Sequence, residues 1–311
     1  MNDRILVKII KDLSEELEFQ VDFLCFGWLL CLKKYDERKY ILGYDWELNT
    51  STSQLIAKDK SACYEVLNAN KIPTVEHKLY LGPQRQSQIG QNGNWSLILT
   101  YAKENNYKII CKANMGTGGN DVFKINNQLE LETIVHKLFL KYDSVCLCPT
   151  YDISREFRVI ILDNTPQLIY EKIRPNITGN GKSTVLELIQ KKYSSLNIED
   201  FYLSGVNLLS ILDYNITLEL SWKHNLGKGA KPYIVTDSKL LDKLTEIAIN
   251  AAKVININFT SVDIVEYNKK LFVMEINSGV MMEFFAKESI ENYNIAKDIY
   301  KKAIIKMLEI K

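Results

Sequence analysis

Phe259-Thr260-Ser261-Val262-Asp263-Ile264-Val265-Glu266-Tyr267-Asn268-Lys269-Lys270-Leu271-Phe272-Val273-Met274-Glu275-Ile276-Asn277 reads as two strands joined around Tyr267 to Lys270. Counting by twos sets Ser261, Asp263 and Val265 on one face of the first strand, and Val273, Glu275 and Asn277 on one face of the second. Asp263 then lies opposite or nearly opposite Glu275, and like charges facing across a strand pair destabilise it, so something positive is expected between them. Oxygen donors of this kind suit Mg²⁺, a hard cation held by one or two carboxylates plus the phosphates of a nucleotide. An ordinary surface hairpin with its polar side outward accounts for the same residues equally well. The rest of the chain has to separate the two.

Working outward, 311 residues with 46% hydrophobic and 25% charged side chains have the profile of a globular protein with room for two or three lobes. Thirty-nine basic residues against thirty-eight acidic ones give a net charge of +1. No global field therefore favours nucleic acid or an anionic membrane, and any phosphate binding must be local. The start, Met1-Asn2-Asp3-Arg4, lacks the build of a signal peptide, and the apolar run Val21 to Leu32 is too short to span a bilayer and contains Asp22. That run is expected as a buried helix or strand, and the protein as cytoplasmic. Six cysteines, Cys25, Cys31, Cys63, Cys111, Cys146 and Cys148, form no CxxC pair and are expected as buried, reduced thiols. Matches to N-x-S/T such as Asn176-Ile177-Thr178 carry no glycosylation meaning without secretion.

There are no repeats or low-complexity tracts, so boundaries come from changes of pattern. Residues 1–57 read as a small mixed lobe ending in the polar connector Asn49 to Ser53, and Lys58 to Ala69 as a helix stopped by Lys71-Ile72-Pro73. Ile109 to Cys111 and Val122 to Ile125 flank a glycine-containing loop as a hairpin, and Gln128 to Tyr142 has helical spacing. From Ser144 onward β-runs dominate: Cys146 to Cys148, Phe157 to Leu162, Gln167 to Ile173, Thr217 to Trp222, then the hairpin. A helix capped near Thr236 or Asp237 carries Leu240, Leu241, Leu244, Ile247, Ala248 and Ala251 on one stripe, and Ile290 to Leu308 forms a last helix. Antiparallel strands with interspersed helices indicate an α+β fold, divided as 1–57, 58–150 and 151–311.

Several groups could carry chemistry. Lys112 precedes Met115-Gly116-Thr117-Gly118-Gly119-Asn120-Asp121, where glycines let backbone N–H groups form an anion nest beside an ammonium. A glycine-rich tip is also how any long hairpin turns. Gly179-Asn180-Gly181-Lys182-Ser183-Thr184 invites a P-loop reading, which fails because the glycine required five places before Gly181 is Asn176; the segment reads as a turn into a helix. Arg158, Glu171, Arg174 and Lys223 interrupt β-runs and must be paired, exposed or turned to a cleft. Arg158 shares a face with Glu156, so both it and Arg174 could meet an anionic substrate, although a structural ion pair explains each alone. Trp222 to Ala230 combines an amide, two lysines and glycines as a phosphate-facing loop, and His224 could serve as a base, although a lone histidine is more often structural.

In this order the segments resemble the ATP-grasp superfamily of carboxylate–amine ligases, especially its ribosomal-protein glutamate ligase, cyanophycin synthetase and glutathione synthetase branches. The resemblance covers about residues 49 to 286. Asn49, Ala57-Lys58-Asp59-Lys60, Leu67 and Ile72-Pro73 are similar to the family's entry into its central lobe, which implies Lys60 on the nucleotide phosphates. Lys112 and Gly116, Thr117, Gly118 and Gly119 resemble its second phosphate lysine and lid. Cys146 to Thr150 and Tyr151 resemble the hinge that receives adenine, Glu156 the acid on the ribose, and Asn225 to Gly229 the family's Asn-Leu-x-x-Gly loop. Ile173-Arg174-Pro175 to Leu188-Ile189 is similar to a loop and helix of the cyanophycin-synthetase-like ligases. Asp263, Glu275 and Asn277 match its magnesium ligands in identity, order and approximate spacing.

Three departures stand out. Cys148-Pro149-Thr150 occupies a hinge where an acidic residue is common, Ser278-Gly279-Val280-Met281-Met282-Glu283 replaces a Pro-Gly turn, and Ser261 stands where some relatives carry arginine. Substrate anchoring then falls to Arg158, Arg174 or Lys223. The resemblance implies a nucleotide held between two α+β lobes, with ATP and one or two Mg²⁺ (or Mn²⁺), and amide or peptide bond formation through an acyl phosphate. Its substrates would be an amino-acid or peptide carboxylate and an amine, with neither nucleic acid nor membrane as partner and a homodimer among the assemblies it allows. The rival readings are a kinase-like phosphotransferase and a noncatalytic nucleotide-binding module.

Overall fold

Apolar residues at helical spacing fold Ile5–Glu16 into α1, which buries Leu6, Val7, Ile9, Ile10 and Leu13. The structure is a computed structural model that describes residues 4–85, 94–203 and 205–310. Four antiparallel strands follow in sheet order, β1 (Gln20–Leu24), β2 (Leu29–Lys34), β3 (Glu37–Leu42) and β4 (Asp45–Trp46). The run from Val21 to Leu32 is thus a hairpin with a largely exposed first strand rather than one buried element. Its turn places Cys25 in solvent, so five of the six thiols are buried as expected and this one is not.

The expected connector and single helix around Lys58 are corrected. Thr50 accepts from the backbone of Ser53 and starts α2 (Ser51–Lys58), and Asp59, in an extended conformation, accepts from Ala62 and starts α3 (Lys60–Ala69). Each oxygen satisfies a backbone N–H that the first turn of a helix leaves unpaired, which is why the helix breaks at Asp59.

Next come β5 (Lys78–Leu81), α4 (Trp95–Glu104), β6 (Ile109–Ala113), β7 (Val122–Ile125), α5 (Gln128–Phe139) and β8 (Ser144–Pro149). The four strands form an antiparallel sheet of order β5-β8-β6-β7. One face packs Cys111, Ile125, Val145 and Leu147 against Ile98, Leu131, Val135 and Leu138 of the two helices. Lys112 pairs with Cys146, so alternation turns both, and Cys148 with them, to the other face.

The remainder is β9 (Arg155–Leu162), β10 (Thr165–Ile173), β11 (Asn176–Thr178), α6 (Val185–Lys192), β12 (Thr217–Glu219), β13 (Lys231–Ile234), α7 (Ser238–Ile255), β14 (Phe259–Tyr267), β15 (Lys270–Asn277), α8 (Glu283–Ala286) and α9 (Ile290–Met307). Thr184 and Glu187 close a capping box that starts α6, so the Gly179 to Thr184 segment is the turn into a helix read from the sequence. Lys223 lies beyond β12 rather than within a β-run.

The main sheet has the order β13-β10-β9-β14-β15, antiparallel throughout. One face is apolar over most of its extent: Phe157, Val159, Ile161, Val262, Ile264 and Ile276 pack on α3 and α7. The other changes character along its length. At one end Ile160, Leu162, Leu168, Tyr170 and Phe259 join α1, β2, β3 and α9 in a single core; at the other lie Glu156, Arg158, Lys172, Asp263, Glu275 and Asn277. Asp263 faces Glu275 directly, as expected, but a register shift follows it, pairing Ile264 with Val273. Met274 is the extra residue, and the bulge turns Val273 into the apolar face, not onto the Glu275 face.

Residues 4–50 are fastened to this sheet. Asn49 accepts from the backbones of Asn258 and Phe259 and donates to the Phe259 carbonyl, while Asp45 bridges to Gly279 and Val280 N–H donates to the Tyr44 carbonyl. Glu283 accepts from Ile5 and Leu6 at the first turn of α1. Among the described residues no helix is long and apolar enough to cross a membrane.

Candidate functional site

The polar end of the main sheet is an ordered set of ion pairs. Arg158 grips Asp263 bidentately, Nε to Oδ1 and Nη2 to Oδ2 at 2.7 Å each, across the β9–β14 register that pairs these residues. Lys172 stands 3.2 Å from Asp263 Oδ2 and is also paired with Glu156. Burial alone would raise the Asp263 carboxyl, but Arg158 and then Lys172 overcome this and hold it well below the usual carboxylate range. The positive group expected beside the two carboxylates is therefore supplied from inside, by Arg158 and Lys172. Lys172 did not figure in the sequence reading, although alternation along β10 shows it: Tyr170 and Lys172 share this face, and Glu171 turns to the other, where it binds Arg155 at 2.9 Å.

Glu275 is the open carboxylate. Its side chain is 31% exposed, and its nearest cation is Lys60, 3.9 Å away. Asn277 Nδ2 approaches Asp263 Oδ2 at 3.5 Å, which leaves the amide oxygen for the cleft. Lys112 faces the same space from the other sheet. The residue is 7% exposed, and its ammonium lies near Glu275 and Glu156 with no hydrogen bond or ion pair among the described residues.

The glycine loop closes over these groups through its carbonyl oxygens. Lys60 Nζ donates to Gly116 O at 2.5 Å, Lys223 Nζ to Gly119 O at 3.4 Å and Val122 O at 3.1 Å, and Asn225 Nδ2 to Gly118 O at 2.7 Å. Gly118 and Gly119 both have φ of 68°, and a Cβ on Gly119 would come within 2.6 Å of Asn225 Nδ2. Glycine is thus required at 119 by both backbone and neighbour. Thr117 lies at the crest between these grips.

The remaining expected residues divide. Thr150 N–H donates to Lys108 O just after β8, and the Tyr151 ring packs edge-on to Tyr267 with centroids 5.2 Å apart, so both sit at the junction of the two large sheets. Arg158, expected to meet an anionic substrate, is bound to Asp263 instead. Arg174 is anchored by Nε to His224 Nε2, Nη1 to Glu219 and Nη2 to the Ile153 carbonyl, leaving two of its five N–H groups. His224 Nδ1 lies 2.6 Å from the Lys172 carbonyl and must carry the proton, so Nε2 receives Arg174. Burial, with the nearby Arg174 and Lys172 charges, lowers its pKa and keeps this imidazole neutral. Lys223 serves the loop rather than an open pocket.

The donor set suits a hard cation. Glu275 is open, the Asn277 oxygen is free, and Asp263 Oδ1, with one acceptor bond to Arg158 Nε, keeps one lone pair. No group of three or more His, Cys, Asp or Glu among the described residues forms a metal cage by itself. A Mg²⁺ here would complete its shell with phosphate oxygens and water, as this ion commonly does.

Comparison with known proteins bears on the fold that carries these groups. Residues 215–303 match the RimK-like ATP-grasp domain. The glutathione biosynthesis bifunctional protein of Enterococcus faecalis is 26% identical over 165 residues, 47% of this chain and 22% of that protein. Its counterpart from Desulfotalea psychrophila is 20% identical over 253 residues, 75% of this chain and 31% of the relative. The chain thus spans less than a third of the length of these curated relatives. The bifunctional glutathione synthetase of Pasteurella multocida superposes over 97% of this chain and 44% of its own, with TM-score 0.59 and 17% identity. A D-alanine–D-alanine ligase from Bacillus anthracis covers 84% of this chain and 69% of its own, with TM-score 0.55 and 12% identity. The RimK-like match across residues 215–303 and the superposition on these neighbours show that the chain has the ATP-grasp fold.

Proposed function

We propose that the protein is an ATP-dependent carboxylate–amine ligase, ADP-forming, acting on an amino-acid or peptide carboxylate. The observation that carries this reading is the convergence of the Lys60 and Lys112 ammonium groups with the apposed Asp263 and Glu275 carboxylates in one cleft under a docked glycine loop. Phosphoryl transfer needs positioning and charge neutralisation more than covalent protein chemistry, and this cleft offers both. The nucleotide lies between lobes 58–150 and 151–311, with phosphates on Lys60, Lys112 and the Gly116 to Gly119 loop, and the base and ribose toward Thr150, Tyr151 and Glu156.

Glu275, Asn277 and the free lone pair of Asp263 would hold Mg²⁺, which when bound supplies charge neutralisation to the phosphate oxygens. A carboxylate oxygen attacks the terminal phosphorus, the bond to the bridging oxygen breaks, and ADP leaves. An amine nitrogen then attacks the acyl carbon and the C–O bond to phosphate breaks, giving amide and phosphate once the nitrogen loses its proton. Arg158 is a positioning residue that holds Asp263, Arg174 offers its two remaining N–H groups to the anion, and Lys223 with Asn225 keeps the loop down. A cytoplasmic setting belongs to this reading, and a homodimer is the assembly it allows.

The test is mass spectrometry of the purified protein with Mg·ATP, a mixture of amino acids and small carboxylates, and hydroxylamine, which intercepts an acyl phosphate without the natural amine. ADP together with one hydroxamate is the expected result. A phosphate ester formed without any effect of added amine would replace the ligase reading by a kinase-like one, and tight ATP binding without turnover would favour a binding module.

A further inference from the structure

His77 is a buried residue that neither the sequence reading nor the ligase chemistry uses. It is 2% exposed, its Nδ1 lies 3.0 Å from the Val75 carbonyl, and its Nε2 has no hydrogen-bond partner among the described residues. The carbonyl can only accept, so Nδ1 carries the proton and Nε2 presents a fixed lone pair. Burial first, then the Lys112 and Lys60 charges, keep the ring neutral, so this nitrogen stays an acceptor. An acceptor left unsatisfied inside a protein is costly, and its persistence points to a partner that arrives from outside the chain.

The register of the sheet says where that partner lies. Lys78 pairs with Leu147 and Leu79 with Cys146, so one further step sets His77 opposite Cys148. Cys148 and Cys146 share the face of Lys112. His77 therefore stands roughly 7 Å along the strands from the Lys112 level and two strand spacings across. It is also the direction of Thr150 and Tyr151 along β8, toward which the function proposed above sets the base. The intervening surface is apolar, made by Ile110, Cys146 and Cys148, all buried. Burial holds the Cys146 and Cys148 thiols up, so neither contributes a thiolate. An apolar floor ending in one fixed acceptor suits a flat heterocycle with one donor at its far edge.

We propose that His77 selects the base: its Nε2 accepts the exocyclic amino group of adenine, the role left open by a hinge that carries Cys148-Pro149 and no carboxylate. This rests on the nucleotide reading above. A base with a carbonyl at that edge would set lone pair against lone pair and be rejected, because a site built for a donor discriminates sharply against its absence.

The test is calorimetric binding of ADP and of inosine diphosphate to the full chain, a measurement independent of turnover. The expected result is at least a tenfold preference for ADP in the wild type, a collapse to within about threefold in His77→Leu, and an intermediate ratio in His77→Gln, whose amide can turn either way. A folded His77→Leu protein that keeps the wild-type ratio overturns the proposal, as does a wild type that binds both diphosphates equally. In the latter case nucleotide binding stands and only base selection fails, whereas a wild type that binds neither overturns both readings.

Discussion

Replacing Gly119 by alanine probes the docked loop where it has least freedom. The new Cβ would lie 2.6 Å from Asn225 Nδ2, and the backbone is left-handed, with φ of 68°. Asn225 has to swing away and release Gly118 O, losing one hydrogen bond, about 1 kcal/mol. Holding alanine in the left-handed region adds about 1–2 kcal/mol. Docking is thus penalised by about 2–3 kcal/mol, and where only the docked loop binds nucleotide, affinity falls by the same factor, about 30- to 150-fold. Titration calorimetry with ADP and Mg²⁺ reads this directly. Asn225→Ala should weaken binding about fivefold, and the double variant should fall short of the product of the two singles because the collision is gone. Affinity of Gly119→Ala within twofold of wild type, or strict additivity in the cycle, would refute the view that Asn225 and Gly119 form one latch.

Other outcomes follow from the ion pairs and buried groups. Glu275→Gln should abolish turnover with little change in melting temperature, since Glu275 is open and the Lys60 ammonium paired with it is 3.9 Å away; a variant retaining most of its activity would remove Glu275 from the mechanism. Asp263→Asn leaves buried Arg158 and Lys172 short of their shared partner and should cost about 3–5 kcal/mol in denaturant unfolding; a loss below 1 kcal/mol would show the pairs to be incidental. His77 and His224 both resist protonation in the folded state, so the unfolded chain takes up more protons as pH falls below the free histidine value near 6.5, and stability drops with it. The slope should approach about 1.4 kcal/mol per pH unit per histidine, and His77→Gln should make it shallower by about one proton; an unchanged slope would contradict a neutral His77. Cys25 should react promptly with a thiol reagent while the other five cysteines wait for unfolding, Cys63 among them with its thiol pushed up to about 12 by burial; rapid labelling of two or more in the native protein would be inconsistent with this packing.

What the sequence disclosed and what it concealed follow a physical line. Period-two alternation placed Asp263 against Glu275, and the Gly179 to Thr184 segment was legible as a turn into a helix, because these are local relations. The bulge at Met274 has no local signature, so Val273 was assigned to the wrong face. Arg158 and Asp263 are 105 positions apart, and only strand order brings them together. Arg174 was legible as a charge that needed a partner, but His224, Glu219 and the Ile153 carbonyl come from three different segments. His77 was invisible for another reason: a lone histidine acquires meaning only once its two nitrogens are told apart.

The attachment of residues 4–50 has a mechanical consequence. Asn49, Asp45 and Tyr44 stitch that segment to the start of the strand bearing Asp263 and to the turn beyond Asn277, and it contributes a large share of a common interior. It cannot swing independently of the metal-facing strands. Opening of the cleft must instead carry the β5–β8 sheet with α4 and α5 away from everything else, pivoting just after Val75 and near Thr150 and Tyr151, because α3 and Thr74 stay bound to the main sheet. The short N-terminal segment is then part of the fixed jaw, and a protein shortened to begin at Thr50 would bare Leu162, Phe259 and Tyr300 to water and lose the jaw together with the appendage.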